Sequence, residues 1–238
     1  MEKRVKFQYK ETIATIIAEE QFISAAQREI VYQRRQLERY IFEDPFFQIT
    51  FEPYVCRSHA PYIANRMAEA GVKAGVGPMA AVAGAIAEAA LQAMVKGGAT
   101  HAIVDNGGDI ALFLSHPVVI GIYAGDAGIR AAGFLFEEEG CMMGVCTSSG
   151  RIGHSMSFGC ANAATVVARD VALADAAATA LGNLIVEENE DSIIDAMADF
   201  NVEGTEGALV IVGDHIAMKG NIPPLLESRI EYDLITMR

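Results

Sequence analysis

The sequence predicts an α+β fold, mixed α/β layers in which helices pack against mixed β-sheets. Three observations predict it. Short strand-like runs alternate with helical stretches, but without a regular βαβ period. Two of the helical stretches, 79–96 and 171–184, are built mainly from alanine and aliphatic residues, so they belong in a core. Hydrophobic residues make up 52% of the 238 and charged residues only 21%, enough apolar chain for one domain over 1–238.

Residues 5–17 alternate in part (Val5, Phe7, Tyr9, then Ile13, Ile16, Ile17), which predicts an opening hairpin or strand pair. From 18 to 42 the apolar spacing turns helical, with Phe22, Ala25, Ala26, Ile30, Leu37, Tyr40 and Ile41 on one side and Asp44-Pro45 ending it. Residues 46–55 read as a strand, weakened at its end by Pro53. Pro61 suits a first helical turn, and the helix runs over 62–70 to Gly71. The turn Gly75-Val76-Gly77-Pro78 leads into the long helix 79–96, which Gly97-Gly98 stops. Strands are expected at 101–104 and 110–114, joined by Asp105-Asn106-Gly107-Gly108-Asp109, and then at 118–123, 131–137 and 143–146. Glu137 to Gly140 reads as a solvated turn. Thr147-Ser148-Ser149-Gly150 reads as an exposed turn, because a run of hydroxyls closes on a residue that tolerates positive φ. A β-branched strand at 164–168, the helix 171–184, a short helix at 191–199 and strands at 208–212, 215–218 and 229–237 complete the chain, with Pro223-Pro224 in a loop.

Charge narrows the partners. Lys and Arg number 18 against 31 Asp and Glu, a net −13, so nucleic acid and anionic membranes are expected to be excluded. The N-terminus is charged from the start and lacks a signal-peptide core, and charges interrupt each apolar run, so a cytoplasmic protein is expected. Cys56, Cys141, Cys146 and Cys160 have no CxxC spacing, which argues against disulfides and a structural zinc. Trp is absent.

Candidate chemistry concentrates between 105 and 181. Asp175 and Thr179 stand four residues apart on the alanine-rich helix, which puts both side chains on one face, about 6 Å apart. Small neighbours would let a cation or phosphate come close; the alternative is a solvent-facing Asp175 and a Thr179 bonded back to a helix carbonyl. Gly107-Gly108 makes either a hairpin turn or a place where backbone amides meet phosphate.

Three segments together resemble the ApbE-type FAD:protein FMN transferases and, more closely, a shorter prokaryotic family related to them. Asp105-Asn106-Gly107-Gly108-Asp109-Ile110 resembles the family's Asn-x-Gly-Gly-Asp-Ile turn. Thr147-Ser148-Ser149-Gly150 with His154 resembles its Thr-Ser-Gly turn and the histidine of His-Ile-Ile-Asp-Pro, and residues 174–181 resemble its Ala-Asp-Ala-Leu-Ala-Thr-Ala-Leu helix. The resemblance implies an ApbE-like fold, Mg2+ held by Asp175 and Thr179, and a flavin nucleotide beside it. The chain departs from the pattern in having no lysine over Gly77-Pro78-Met79-Ala80-Ala81 and in carrying Ser157 and Phe158 where the family has Asp-Pro.

Three functions follow as expectations. The first is a Mg2+-dependent protein, in some form a transferase, acting on a small phosphorylated ligand or nucleotide. Asp175 and Thr179 supply hard oxygen donors, His154 is general base or acid, and Asp109 orients substrate. Asn106, Gly107, Gly108, Thr147, Ser148, Ser149, Gly150 and Ser155 bind the ligand. The second is sulfur handling by Cys146 and Cys160 near His154, in keeping with the link to sulfide assimilation that the shorter family implies. The third is a ligand-binding protein without turnover. Homo-oligomerisation is expected of so apolar a chain.

Overall fold

A computed structural model describes residues 2–125, 132–137, 140–150, 159–227 and 235–236. The opening alternation becomes a hairpin, β1 (Glu2–Tyr9) and β2 (Thr12–Glu19), paired from Glu2↔Glu19 to Tyr9↔Thr12. β3 (Ala102–Asp105), β4 (Asp109–Phe113), β7 (Met142–Ser148), β8 (Ala163–Ala168), β9 (Thr205–Val212) and β10 (His215–Gly220) extend it to an eight-stranded sheet in the order β1-β2-β3-β4-β7-β8-β9-β10. A second sheet, β11-β6-β5, is made from β5 (Val118–Ile122), β6 (Ala132–Phe136) and β11 (Leu225–Glu227). Every pairing among the described strands is antiparallel. The α+β architecture is as expected.

The two sheet faces are sorted by the period-2 alternation of their residues. On one, Ala111, Cys146, Ala164 and Val166 join the main core beneath the helices. On the other, Leu112, Met143, Val145 and Val167 pack with Phe134 and Phe136 of the small sheet. The layers are therefore helices, large sheet, small sheet.

Helix α1 (Glu20–Glu43) buries Ile23, Ala26, Ile30, Gln33, Leu37 and Tyr40, the three-and-four spacing of a single apolar stripe. α3 (Tyr62–Ala74) runs on through Gly71 and stops at Gly75, which is left-handed at φ 72°. Gly71 is there for space: a Cβ on it would stand 2.7 Å from the Val76 carbonyl oxygen. The long apolar helix begins as a 3₁₀ turn (Pro78–Ala81) and continues as α4 (Val82–Lys96). The stretch Pro78–Lys96 has the length and mean hydropathy (1.4) of a membrane span, but it lies 61% buried inside the fold. α5 (Val171–Leu184) crosses beside it and is buried along nearly all its length. α6 (Glu190–Asp199), capped by Asn189, follows.

Two expectations are corrected and a third is not covered. Residues 46–55 are no strand: α2 (Phe46–Ile49) forms one turn because Asp44 and Pro45 carbonyls accept from Phe47 and Gln48, and an irregular loop follows that pairs with no strand among the described residues. Thr147 and Ser148 lie in β7 rather than in an exposed turn, since their strand partners Thr165 and Ala164 in β8 continue the ladder past Cys146. The expected strand at 229–237 falls mostly outside the described residues.

Gly144 sets how closely α5 sits on the sheet. A Cβ there would lie 2.8 Å from Val171 Cα, a backbone contact that no rotamer change relieves. Gly144→Ala is expected to lower stability by about 1–3 kcal/mol, read as a lower midpoint in urea unfolding; an unchanged midpoint would mean that α5 is not seated on Gly144.

Candidate functional site

A polar cluster interrupts the apolar seam between α5 and the large sheet. Asp109 opens β4 and pairs directly across from Cys146 of β7, so both side chains point to the helix face. Asp175 meets them from α5, and Thr179 stands one turn further along that helix; the two are 8% and 7% exposed. The solvent-facing alternative for Asp175 is thereby excluded. Asp175 Oδ2 accepts from Gly84 N at 2.7 Å, and its carboxylate also accepts from Ala83 N, so it caps the first turn of α4 from a different helix. Gly84 permits this approach, because a Cβ on it would be 2.7 Å from Asp175 Cβ. Asp109 is held by the Thr147 N–H and hydrogen-bonds to Asp175, with Cys146 beside it; the Cys146 thiol donates to the Val171 carbonyl oxygen at 3.6 Å.

Burial away from water pushes Asp109 well above the usual carboxylate range, and the neighbouring Asp175 and Asp105 carboxylates add to it. Burial raises Asp175 as well, against the backbone N–H groups that favour its charged form. Among the described residues no Lys or Arg pairs with either. Cys146 is fully buried, and burial with the two carboxylates beside it pushes its thiol far up, the reverse of what a reactive thiolate needs. Cys160 donates from Sγ to the Val186 carbonyl oxygen at 3.5 Å.

Ser148 belongs to the same cluster. It follows Cys146 on the helix face of β7, is buried, and its Oγ has no hydrogen-bond partner among the described residues. The register along α5 is fixed at both ends: Gly144 lies against Val171, while Gly150 lies against Gly159, which in turn lies against Gly182. A strand advances about 3.3 Å per residue and a helix about 1.5 Å, so Ser148, four residues beyond Gly144, comes level with Thr179, eight beyond Val171.

The glycine turn is a hairpin. Asn106 N donates to the Asp109 carbonyl oxygen at 3.0 Å, and Gly107 and Gly108 take φ of 75° and 104°, open to glycine at little cost. Gly108 N is committed to Asp105 Oδ1 at 2.9 Å, so it is not a spare donor for phosphate, whereas Gly107 is exposed. Asp105 also accepts from Thr236, which is bonded in turn to Thr15 at 2.8 Å. Asn106 Nδ2 donates to the Ala83 carbonyl oxygen at 3.0 Å and ties the hairpin to α4.

Of the other expected site residues, Thr147 points to the opposite sheet face, where it bonds Thr165 Oγ1 at 2.9 Å. Ser149 is partly buried, and Gly150 donates to the Ala161 carbonyl oxygen. His154 and Ser155 lie outside the described residues.

The N-terminus of α5 is not a free anion site. Asp170 Oδ1 accepts from Leu173 N at 2.9 Å, and Glu88 Oε2 accepts from Val171 N at 3.1 Å and Ala172 N at 3.4 Å. Arg66 binds both acids, at 2.7 Å to Asp170 and 3.2 Å to Glu88. Sequence reasoning missed this triad. Its one signal was Glu88, an acid surrounded by alanines in an otherwise apolar helix.

A family model described as AbpE bacteria matches residues 1–206. The UPF0280 protein of Methanosarcina barkeri is 50% identical over 231 residues, 97% of this chain and 91% of its own. That of Methanococcoides burtonii is 48% identical over 97% of this chain and 98% of its own. The chain belongs to the UPF0280 family. Two solved structures share the fold of this UPF0280 chain. The flavin transferase ApbE from Vibrio cholerae has a TM-score of 0.56 at 12% identity, over 92% of this chain and 96% of that one. The ApbE protein from Thermotoga maritima has a TM-score of 0.56 at 15% identity, over the whole of both. The UPF0280 chain therefore has an ApbE-like fold, as its motifs imply.

A carboxyl group whose pKa is higher folded than unfolded binds more protons in the folded state. Its stability contribution is fullest at low pH and is lost as pH rises through the folded value. In EDTA, the wild type is therefore expected to lose stability in urea unfolding as pH rises from about 4, where unfolded carboxylates titrate, towards neutral. Asp109→Asn is expected to flatten that slope; an equal slope in both proteins would show that the pair is not strained.

Proposed function

We propose that this protein binds a phosphorylated nucleotide, flavin-like by its fold relatives, through a hard divalent cation at Asp109, Asp175 and Thr179, with Mg2+ the cation of choice. One observation carries the reading. Two carboxylates are buried side by side with no balancing side-chain cation among the described residues, beside the helix that carries Thr179 and near Ser148, whose Oγ has no partner among the described residues. Unbalanced buried carboxylates are costly. An ion that takes several oxygen ligands relieves that cost, and the donors present, carboxylate and hydroxyl oxygen, are those a hard cation selects. The donor set therefore fits the metal.

When bound, the cation would neutralise the phosphate oxygens of the ligand. The chain's own residues do the positioning. Ala83 and Gly84 N–H groups hold Asp175, the Thr147 N–H holds Asp109, and Asn106 fastens the hairpin to α4, so the donors are set before ligand arrives. Gly107, exposed and left-handed, gives a phosphate room to approach the backbone. Binding is the part of ApbE chemistry assigned here. The segment Gly77-Pro78-Met79-Ala80-Ala81 carries no lysine to contact a flavin nucleotide, which speaks against transfer.

Calorimetric titration of FAD, FMN and ATP into the protein, in Mg2+ and in EDTA, tests the proposal. At least one nucleotide is expected to bind in Mg2+ and to lose affinity on the order of tenfold or more in EDTA. Asp175→Asn, which keeps an acceptor for Gly84, and Thr179→Val are expected to weaken binding by a similar factor while leaving the urea midpoint near that of the wild type. No heat from any of the three at millimolar concentration would sink the reading.

A further inference from the structure

We propose that residues 42–55 form a homodimer interface, occupied by a second copy of this chain about a two-fold axis. The segment joins α1 to the loop before α3; Asp44 and Thr50 are turned inwards, while Glu43, Gln48 and Glu52 stay exposed at its margins. The Asp44 carboxylate is buried and accepts from Tyr54 OH at 2.7 Å, Tyr40 OH at 3.3 Å and the Arg57 guanidinium at 3.2–3.3 Å. Arg57 N donates to Tyr40 OH at 3.1 Å. Phe47 packs edge-on against both tyrosines, with ring centroids 5.2 and 5.8 Å away. Gly77 closes the bracket from below, since a Cβ on it would be 2.1 Å from the Thr50 carbonyl oxygen.

This rigid support presents large apolar side chains to solvent. Phe42 is 86% exposed and Val55 85%, and Phe46, Ile49 and Phe51 lie between 51% and 65%. Apolar side chains this exposed on a segment that buries Asp44 are unusual, and the hydrogen bonds beneath them show that this is not the fraying of a loose end. With aromatic side chains of about 150–250 Å² each, the five expose on the order of 600 Å². That is at the top of what a monomer shows and most of the roughly 800 Å² that each partner of a stable complex buries.

A second copy suits the face for two reasons. Homodimer interfaces are the more apolar class, and no charge among the five exposed side chains selects a different partner. The rim carries both signs, with His59 3.4 Å from Glu43 and Arg57 on Asp44, which leaves the face able to meet its own image.

Sedimentation velocity of the full chain at about 50 μM, above the micromolar affinities that interfaces of this size reach, is expected to give twice the 25.5 kDa chain mass. Phe42→Asp with Val55→Asp is expected to give the single-chain mass with an unchanged circular dichroism spectrum. A second readout needs no variant: hydrogen exchange of wild-type amides in 42–55 is expected to slow as concentration rises. A wild-type monomer at 50 μM, a dimer that persists in the folded double variant, or concentration-dependent protection confined to other segments would each overturn the proposal.

Discussion

Two carboxylates facing each other across a helix–sheet seam are the constraint on which the middle of this fold depends. Among the described residues Asp175 and Asp109 meet without a side-chain cation, and each is instead held by groups on neighbouring elements: the first turn of α4, and the β7 backbone. A buried carboxylate keeps its place only if its lone pairs are satisfied. Here the satisfying groups are the amides that begin α4, so one side chain both closes a helix end and stands in the candidate site.

That arrangement requires the elements to come very close, and the small residues allow it. Gly84 meets Asp175, Gly144 meets Val171, and Gly159 meets Gly182, each at a distance that a Cβ would close to 2.8 Å or less. Alanine along α5 serves the same end. Dispersion between well-fitted backbones replaces the larger side chains of an ordinary core seam. The Arg66, Glu88 and Asp170 triad completes the arrangement by satisfying the start of α5, so the first turns of both central helices are closed by acids from elsewhere in the fold.

Much of this was legible in one dimension. The opening hairpin, α1, α5 with its bounds and the α+β class follow from periodicity, because that signal is local, whereas Gly107-Gly108 left a hairpin turn and a phosphate-binding loop both open. Residues 46–55 misled, because aromatic and β-branched residues read as strand wherever they fall; here the side chains that drive that reading face outwards over a buried Asp44. Gly71 misled in the opposite way, as a stop signal that is really a point of close approach. The hydroxyl run at 147–149 looked like a turn because composition cannot show that β8 lies alongside.

The sequence by itself determined the class of fold, the spacing that puts Asp175 and Thr179 on one face, and the motifs that mark an ApbE-like chain, since each is a property of neighbours along the chain. Only the tertiary structure decided that this face is buried, that Asp109 and Ser148 join it while Thr147 turns away, that Gly108 is spent on Asp105, and that Cys146 is locked as a thiol among acids. The physical reason is that burial and proton affinity depend on what long-range packing brings within a few ångströms, and no single stretch of residues carries that information.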